Sequence, residues 1–308
     1  GILNSVEKLR NTSENELYHD ASLRLEELIS QGTGVVEIKS GYGLSLEAEL
    51  KMLRVIKKLK ENYPVKIKAT FLGAHAVPPE FKGNQAGFVD EICQKMIPEI
   101  ASSGLADYVD AFLETGYFTV DETQKIIKTA TQFGLKSKIH VNQFTTIGGI
   151  DMCVEEHVLS VDHLEVVSDR DIETLKKGNT IPVALPTCSY FLSIPYTPAS
   201  KLLNANLPLV VASDYNPGTT PSGNMNFVVA TSCIKMKLTP EEAFNAATIN
   251  AAYALEVEND YGSITKGKKA SFFITKPLHS IYAIPYNFGS NLIESVYLNG
   301  KKQNTPGE

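Results

Sequence analysis

The amino-acid sequence predicts an α/β fold, a TIM-like (β/α)8 barrel with a small β appendage at the C-terminal end of the chain. Three observations lead to this prediction. Short apolar runs alternate with segments of helical periodicity over most of the 308 residues. Polar residues that can bind a metal or transfer a proton recur where these runs end. Beyond residue 255 the pattern changes to short β runs flanked by Gly and Lys.

The first segment, residues 13–30, carries leucines at helical spacing and predicts a helix, with Asn11, Thr12 and Ser13 as candidate caps. The apolar runs that follow predict strands at 35–39, 66–72, 108–113, 138–141, 160–164, 181–185 and 209–213. Helical segments such as 46–61 and 121–133 lie between them. Such alternation is typical of a parallel sheet with crossover helices.

These seven strands are one fewer than a closed barrel requires. The region before Val35 predicts a helix and no strand. We therefore expect the first strand to be missing or to lie upstream of Gly1. An open, doubly wound seven-stranded sheet is the alternative, and the polar residues at the strand ends favour the barrel.

Residues 1–255 are predicted to form the barrel and residues 256–308 the remnant of a small β-sandwich domain. The last predicted barrel helix, 240–255, begins after Thr239, with Glu242 placed to complete a capping box. The β runs that follow it suggest an appendage and not another barrel unit.

Composition narrows the function classes. A net charge of −6 indicates neither nucleic acid nor an anionic membrane as a partner. No apolar run is long enough to span a bilayer. Four well-separated cysteines without a Cys-x-x-Cys pair argue against a zinc finger or a disulfide framework, and they favour the cytoplasm. The sequence also lacks the G-x-G-x-x-G, Walker and G-x-S-x-G motifs.

Three residues that can bind a metal or transfer a proton lie where predicted strands end: His140, His163 and Asp214. Each alone also has a structural explanation, as a strand-end histidine bonded to the backbone or as an aspartate that caps a turn. Together they favour a hydrolytic site. Asp162 and Glu165 flank His163, and strand alternation places Asp162 on the opposite face from that histidine.

Two further candidates follow the first two strands. His75 precedes a rigid Pro-Pro turn, and Tyr42 lies between two glycines, an arrangement common for an aromatic that faces a ligand. Singly, each is explained equally well as a loop or rim residue.

The motifs occur in an order that resembles the imidazolonepropionase family of the metal-dependent amidohydrolases. The matching segments are E-I-K-S-G-Y-G-L (37–44), T-F-L-G-A-H-A-V-P (70–78), K-I-H-V-N-Q (138–143), S-V-D-H-L-E (160–165) and S-D-Y-N-P-G-T (213–219). The resemblance covers nearly the whole chain, including its C-terminal β segment.

The resemblance implies an amidohydrolase-type barrel that hydrolyses 4-imidazolone-5-propanoate to N-formimidoyl-L-glutamate in histidine degradation. It implies one zinc or iron ion held by His140 and Asp214, with His163 and Asp214 as catalytic residues. The positions that match the family's substrate site are Tyr42, His75, Gln143, Asn216, Gly218 and Thr219.

The chain departs from the family pattern at the metal site. The family's ligands include a His-x-His pair, which would lie upstream of Gly1 together with a substrate-binding arginine, and the six histidines here form no such pair. We therefore expect an incomplete metal site. A heterocycle deaminase of the same superfamily and a truncated, inactive barrel that only binds ligand remain alternatives. Exposed sheet edges also favour a homodimer.

Overall fold

The structure is a computed structural model that describes residues 2–303. Two compact units are distinguished by their internal contacts. The first contains the chain up to Asp20, Glu37–Asn62 and Ile67–Thr180. The second contains Ala21–Val36, Tyr63–Lys66 and the chain from Ile181 onward.

Helices and strands alternate through the described residues, as predicted. The helices are α1 (Ile2–Asn11), α2 (Glu14–Ser30), α3 (Leu46–Asn62), α4 (Gln85–Glu91), α5 (Ile97–Ser103), α6 (Val120–Gln132), α7 (Gly149–Glu155), α8 (Asp169–Leu175), α9 (Pro186–Leu192), α10 (Ala199–Asn204), α11 (Met225–Lys235), α12 (Pro240–Ala247), α13 (Ile249–Ala254) and α14 (Ala283–Tyr286). The strands are β1 (Val35–Lys39), β2 (Lys66–Ala74), β3 (Tyr108–Leu113), β4 (Lys136–Val141), β5 (Ser160–His163), β6 (Ile181–Ala184), β7 (Val210–Val211), β8 (Phe272–Thr275), β9 (Ile293–Leu298) and β10 (Lys301–Lys302).

In the first unit, β2, β3, β4 and β5 pair in parallel, in chain order. The register aligns Phe112 with His140 and His140 with Asp162, so three neighbouring strands present these residues in one row. The opposite strand face is apolar, and α6 packs against it on β3 and β4. Because both faces of such a sheet are covered, the polar residues within its strands are buried.

In the second unit, β6 and β7 pair in parallel, Val183 with Val210 and Ala184 with Val211. The strands β8, β9 and β10 form a separate antiparallel sheet. The hairpin between β9 and β10 turns at Asn299 and Gly300, which both have positive φ (50° and 82°). An Asn-Gly pair is the preferred sequence for such a two-residue turn.

The predicted elements are largely confirmed. Seven strands of parallel type lie within residues 2–303, and the C-terminal β appendage is present. The predicted helix over 240–255 is broken at Thr248, whose φ and ψ are −124° and −88°. The capping box of Thr239 and Glu242 is formed. The domain boundary after residue 255 stays a prediction, and within residues 2–303 no helix is long and apolar enough to cross a membrane.

Candidate active site

Two predicted site histidines meet at the carboxyl ends of neighbouring strands in the first unit. His140 is the penultimate residue of β4 and His163 is the last residue of β5. Both are buried, and their ring centroids are 5.3 Å apart. Parallel strands place their carboxyl ends at one edge of the sheet, which is where barrel enzymes bind substrate.

The backbone leaves the extended conformation where these strands end. His163 and Leu164 have φ values of 89° and 61°, and Asn142 has a φ of 56°. Such values are unfavourable for residues with a Cβ, and they concentrate at functional sites. In a regular strand, His163 would point away from the face that carries Asp162. The positive φ at His163 changes the direction of the side chain and allows its ring to approach His140.

Each histidine has a carboxylate at its Nδ1 atom. Asp110 Oδ1 lies 3.0 Å from Nδ1 of His140, and Glu165 Oε1 lies 3.2 Å from Nδ1 of His163. Of the two acidic neighbours of His163, Glu165 is therefore the partner, in agreement with the alternation argument. A carboxylate at Nδ1 fixes the proton there and leaves Nε2 as the nitrogen for a metal, as is common for histidine ligands.

Beneath His140 lies a buried charge cluster, which we define as Glu37, Lys39, Asp110, Lys138 and Asp162. The Lys39 ammonium donates to Asp110 Oδ2 at 2.6 Å and to Asp162 Oδ2 at 3.1 Å. The Lys138 ammonium donates to Glu37 Oε2 at 2.8 Å. The three carboxylates outnumber the two ammonium groups, and His140 is a further partner of Asp110.

The ionisable groups of the cluster strongly shift one another's pKa values. Burial raises the pKa of Glu37, but Lys138 and Lys39 outweigh it and lower that pKa to about 2. Burial likewise opposes ionisation of Asp110, and His140 and Lys39 hold its pKa well below the usual range. Burial lowers the pKa of Lys39, yet the carboxylates around it raise it well above its ordinary value. The attraction between opposite charges therefore exceeds the cost of desolvation at each of these three groups.

Tyr42 and His75 are brought together beside His140. His75 directly follows β2, and its Nδ1 lies 2.9 Å from the carbonyl oxygen of Gly41. The Tyr42 and His75 rings meet edge to face, with centroids 5.1 Å apart, and the His75 centroid is 6.5 Å from that of His140. Tyr42 and His75 thus form an aromatic wall beside His140.

A buried glutamate fixes the loop that carries Tyr42. The Glu49 carboxylate accepts hydrogen bonds from the backbone N–H groups of Gly41, Gly43 and Leu44, each at 2.8 Å. Burial raises the pKa of Glu49, against the opposing effect of these bonds and of Ser40. Because one carboxylate satisfies three loop donors, the loop has little freedom to move without breaking several bonds at once.

A second buried glutamate fixes the segment after β4. Gln143 is buried directly beyond this strand. Glu114 accepts hydrogen bonds from the N–H groups of Phe144, at 2.9 Å, and Thr145, at 3.3 Å. The Thr145 hydroxyl also donates to Glu114. The position of Gln143 is therefore set by an anchor at the end of β3.

In the second unit, the turn after β7 brings four more predicted residues together. Asp214 has a φ of 52°, and its Oδ2 accepts a hydrogen bond from the Thr219 hydroxyl at 3.1 Å. The Asn216 amide donates to the Asp214 carbonyl at 2.6 Å and to Thr219 Oγ1 at 2.8 Å. Its oxygen accepts from the N–H groups of Gly218 and Thr219, both at 2.8 Å. Side chains of the turn thus hold the half-buried Asp214.

Four residues that hold the candidate site or its loops in place lie outside the sequence prediction: Lys39, Glu49, Asp110 and Glu114. A signal for two of them exists in the strands V-V-E-I-K and Y-V-D-A-F-L, where charges interrupt apolar runs that predict burial. The three other histidines, His19, His157 and His279, are exposed.

In the first unit, one ligand atom of each of Asp110, His140 and Asp162 lies within 4.8 Å of the others. The two carboxylates already share the Lys39 ammonium as their cationic partner, which leaves His140 as the metal-ligand candidate of this group. Histidine nitrogen and carboxylate oxygen are both common zinc ligands.

Comparison with known proteins identifies the family. A sequence model of the amidohydrolase family matches residues 2–302. An imidazolonepropionase from Flavobacterium johnsoniae is 65% identical over 98% of this chain and 73% of its own length. One from Alkaliphilus oremlandii is 39% identical over 98% of this chain and 71% of its own.

Solved structures agree at the level of the fold. The guanine deaminase of E. coli has a TM-score of 0.78 and 10% identity, covering 99% of this chain and 78% of its own. A zinc-bound adenosine deaminase from Xanthomonas campestris has a TM-score of 0.70 and 16% identity, covering 96% and 71%. The predicted amidohydrolase-type α/β fold is thereby confirmed. Since the family model spans the described chain and the relatives of 39–65% identity named above are imidazolonepropionases, the chain belongs to the imidazolonepropionases of the amidohydrolase family.

Proposed function

We propose that this chain hydrolyses the cyclic amide of 4-imidazolone-5-propanoate to N-formimidoyl-L-glutamate, with His140, His163 and Asp214 as its reacting centre. The observation that carries the proposal is the pair of buried imidazoles 5.3 Å apart at adjacent strand ends. Each of the two has a carboxylate at Nδ1. The substrate is a small molecule, and the membership of the family supplies its class.

His140 and Asp214 are the proposed ligands of one zinc or iron ion. Their donor set fits such an ion, because Nδ1 of His140 is engaged by Asp110 and Nε2 remains for coordination. When bound, the ion supplies Lewis acidity towards water and towards the ring carbonyl.

The protein side chains handle the protons. Asp214 accepts the proton of the attacking water, whose oxygen forms the new bond to the ring carbonyl carbon. In its imidazolium form, with Nδ1–H held by Glu165, His163 donates a hydrogen bond from Nε2 to the oxygen on which negative charge develops. The carbonyl is then restored, the ring C–N bond breaks, and the proton passes to the leaving nitrogen. No oxidant or further reactant is needed.

The aromatic wall and the turn after β7 are proposed to orient the substrate. Tyr42 and His75 would contact the heterocycle, in keeping with their mutual edge-to-face packing. The other proposed substrate contacts are Gln143, Asn216, Gly218 and Thr219. Exact placement of the reacting groups lowers the barrier because it removes the cost of orientation from the chemical step.

The substitution Asp214→Asn tests the reaction assignment. It should abolish formation of formimidoylglutamate and leave the circular dichroism spectrum unchanged, because the two side chains have the same shape. Near-normal turnover would exclude the assigned role. Ammonia release in place of ring opening would identify a deaminase, and substrate binding without turnover by the unsubstituted chain would support the inactive-barrel alternative.

Three further expectations remain part of the proposal. These are a cytoplasmic location, a homodimer in solution, and a domain boundary after residue 255. Light scattering tests the second, and limited proteolysis tests the third through cleavage near that residue.

A further inference from the structure

A chain of contacts in the first unit leads from Lys39 through Asp110 to His140, and the proposed reaction does not use its first two members. Lys39 Nζ donates to Asp110 Oδ2 at 2.6 Å. Asp110 Oδ1 lies 3.0 Å from Nδ1 of His140 and also accepts the backbone N–H of His140 at 3.3 Å. The Asp110 side chain is fully buried. Every oxygen of this carboxylate is therefore committed to a donor.

This arrangement determines which nitrogen of His140 carries the proton. A carboxylate can only accept hydrogen bonds, so Nδ1 must be the donor towards Asp110. Nε2 then holds the lone pair. Both oxygens of Asp110 lie 3.0 Å from Nδ1, and Oδ2 also accepts from Lys39. A rotation of Asp110 that releases Nδ1 would therefore break its bond to Lys39 as well.

We propose that Asp110 and Lys39 are positioning residues that set the tautomer of His140, so that Nε2 is presented for metal coordination. The coordination part rests on the proposed function, whereas the tautomer part does not.

Asp162 lies beside Asp110 and Lys39 but differs from Asp110 in its contacts. It bonds Lys39 and Ser160, at 3.1 and 2.8 Å, and makes no hydrogen bond to His140 within the described residues.

The central experiment is Asp110→Asn, read by nitrogen NMR of the His140 ring in the metal-free protein. Lys39 can only donate, so it should hold the amide oxygen at the position of Oδ2 and place the NH2 group at that of Oδ1, where it opposes a proton on Nδ1. The population with the His140 proton on Nε2 should therefore rise. Zinc affinity, measured by competition with a chelator, should fall about 10- to 100-fold, the usual cost of removing such a carboxylate partner.

Asp162→Asn is the matched control. It makes the same isosteric change in the same cluster and leaves the contact between Asp110 and His140 intact. We expect the Nδ1–H tautomer and unchanged zinc affinity. Equal effects of both substitutions on the tautomer and on zinc affinity would overturn the proposal, because the cluster would then act only as structural support.

The role of Lys39 is tested by adding Lys39→Met to Asp110→Asn. Without the ammonium group the amide is free to turn, so a population with the proton on Nδ1 should return. This double substitution removes one charge of each sign, which limits the disturbance of the cluster. A tautomer that stays on Nε2 in the double variant would show that Lys39 does not orient residue 110.

Two other outcomes are informative. If Asp110→Asn fails to fold while Asp162→Asn folds, the role of Asp110 is structural and the proposal is wrong. If the tautomer moves as expected but the unsubstituted chain binds no zinc, the positioning inference stands and the proposed metal site fails.

Discussion

The two regions that carry the predicted catalytic residues are held in different ways. His140 and His163 are buried at strand ends, and their rings are fixed by Asp110, in β3, and by Glu165, two residues after β5. Asp214 is half-buried in a turn, and hydroxyl and amide groups at most five residues away hold it.

The two regions differ in the free energy that is lost when the contacts of the site residue are broken. A buried ion pair that loses one partner leaves a charge without compensation, which costs several kcal/mol. A hydrogen bond at a half-exposed turn costs about 1 kcal/mol, because water can replace the lost partner. The strand ends should therefore behave as a rigid platform, and the turn after β7 as the softer, more adjustable part.

The largest expected effect comes from Lys39→Met. Asp110 and Asp162 would each lose their ammonium partner inside the sheet. The free energy of unfolding in urea should fall by about 3–5 kcal/mol. The control is Lys60→Met at the partly exposed pair of Lys60 and Asp107, where the loss should be about 0–1 kcal/mol. Similar losses at both sites would show that burial of the ion pair does not make the strand ends rigid.

The second prediction is that the free energy of unfolding falls at acidic pH. The pKa of Glu37 is lowered from 4.5 to about 2 in the folded protein, so folding favours its charged form. The resulting stabilisation is complete above pH 4.5 and is lost as the pH falls through 2, on the order of 3 kcal/mol in total. Urea unfolding at a series of pH values measures it.

The control for this pH dependence is Glu37→Gln, which cannot titrate. Its unfolding free energy should change less steeply between pH 5 and pH 2 than that of the unsubstituted chain. An unchanged slope would assign the acid sensitivity to other carboxylates.

The third effect concerns the loop that carries Tyr42. Glu49→Gln replaces one acceptor oxygen by an NH2 group, so at least one loop N–H loses its partner. The free energy of unfolding should fall by about 1–3 kcal/mol, the cost of an unsatisfied buried donor. KM should rise more than kcat falls, because Tyr42 is proposed to orient the substrate ring. Glu47→Gln, at an exposed position of α3, is the control and should change neither.

Local pattern was sufficient to predict most of the fold. β1 and β3 have the predicted bounds, because β-branched and apolar runs bounded by Gly or Pro allow few alternatives. The predicted strand over 209–213 forms only at Val210–Val211. The positive φ of Asp214 belongs to a turn whose bonds come from Asn216 and Thr219, and apolar periodicity carries no information about such bonds.

The candidate site was predictable in part for the same reason. Residues at strand ends stand out, since the chain changes from apolar to polar there, as at His140. Lys39 and Asp110 are 71 residues apart in sequence, and only the sheet register brings them into contact. A charge inside a buried run signals that a partner exists, but it does not identify the partner.

The smallest effect on stability is expected for Thr219→Val, in the turn after β7. This substitution also distinguishes two roles of Thr219. The family resemblance makes Thr219 a substrate contact, whereas its hydroxyl donates to Asp214 Oδ2 and accepts from Asn216. Thr219→Val keeps the shape and removes both bonds, so the free energy of unfolding should fall by about 1 kcal/mol. If the hydroxyl positions Asp214, kcat should fall about tenfold with KM nearly unchanged, since about 1.4 kcal/mol at the transition state is a factor of ten.

Thr219→Ser retains the hydroxyl and should restore kcat. A rise in KM with constant kcat would instead mean that Thr219 binds substrate equally in the ground and transition states. That result would make the turn a binding element, and the positioning of Asp214 would then depend on its strained backbone more than on its neighbours.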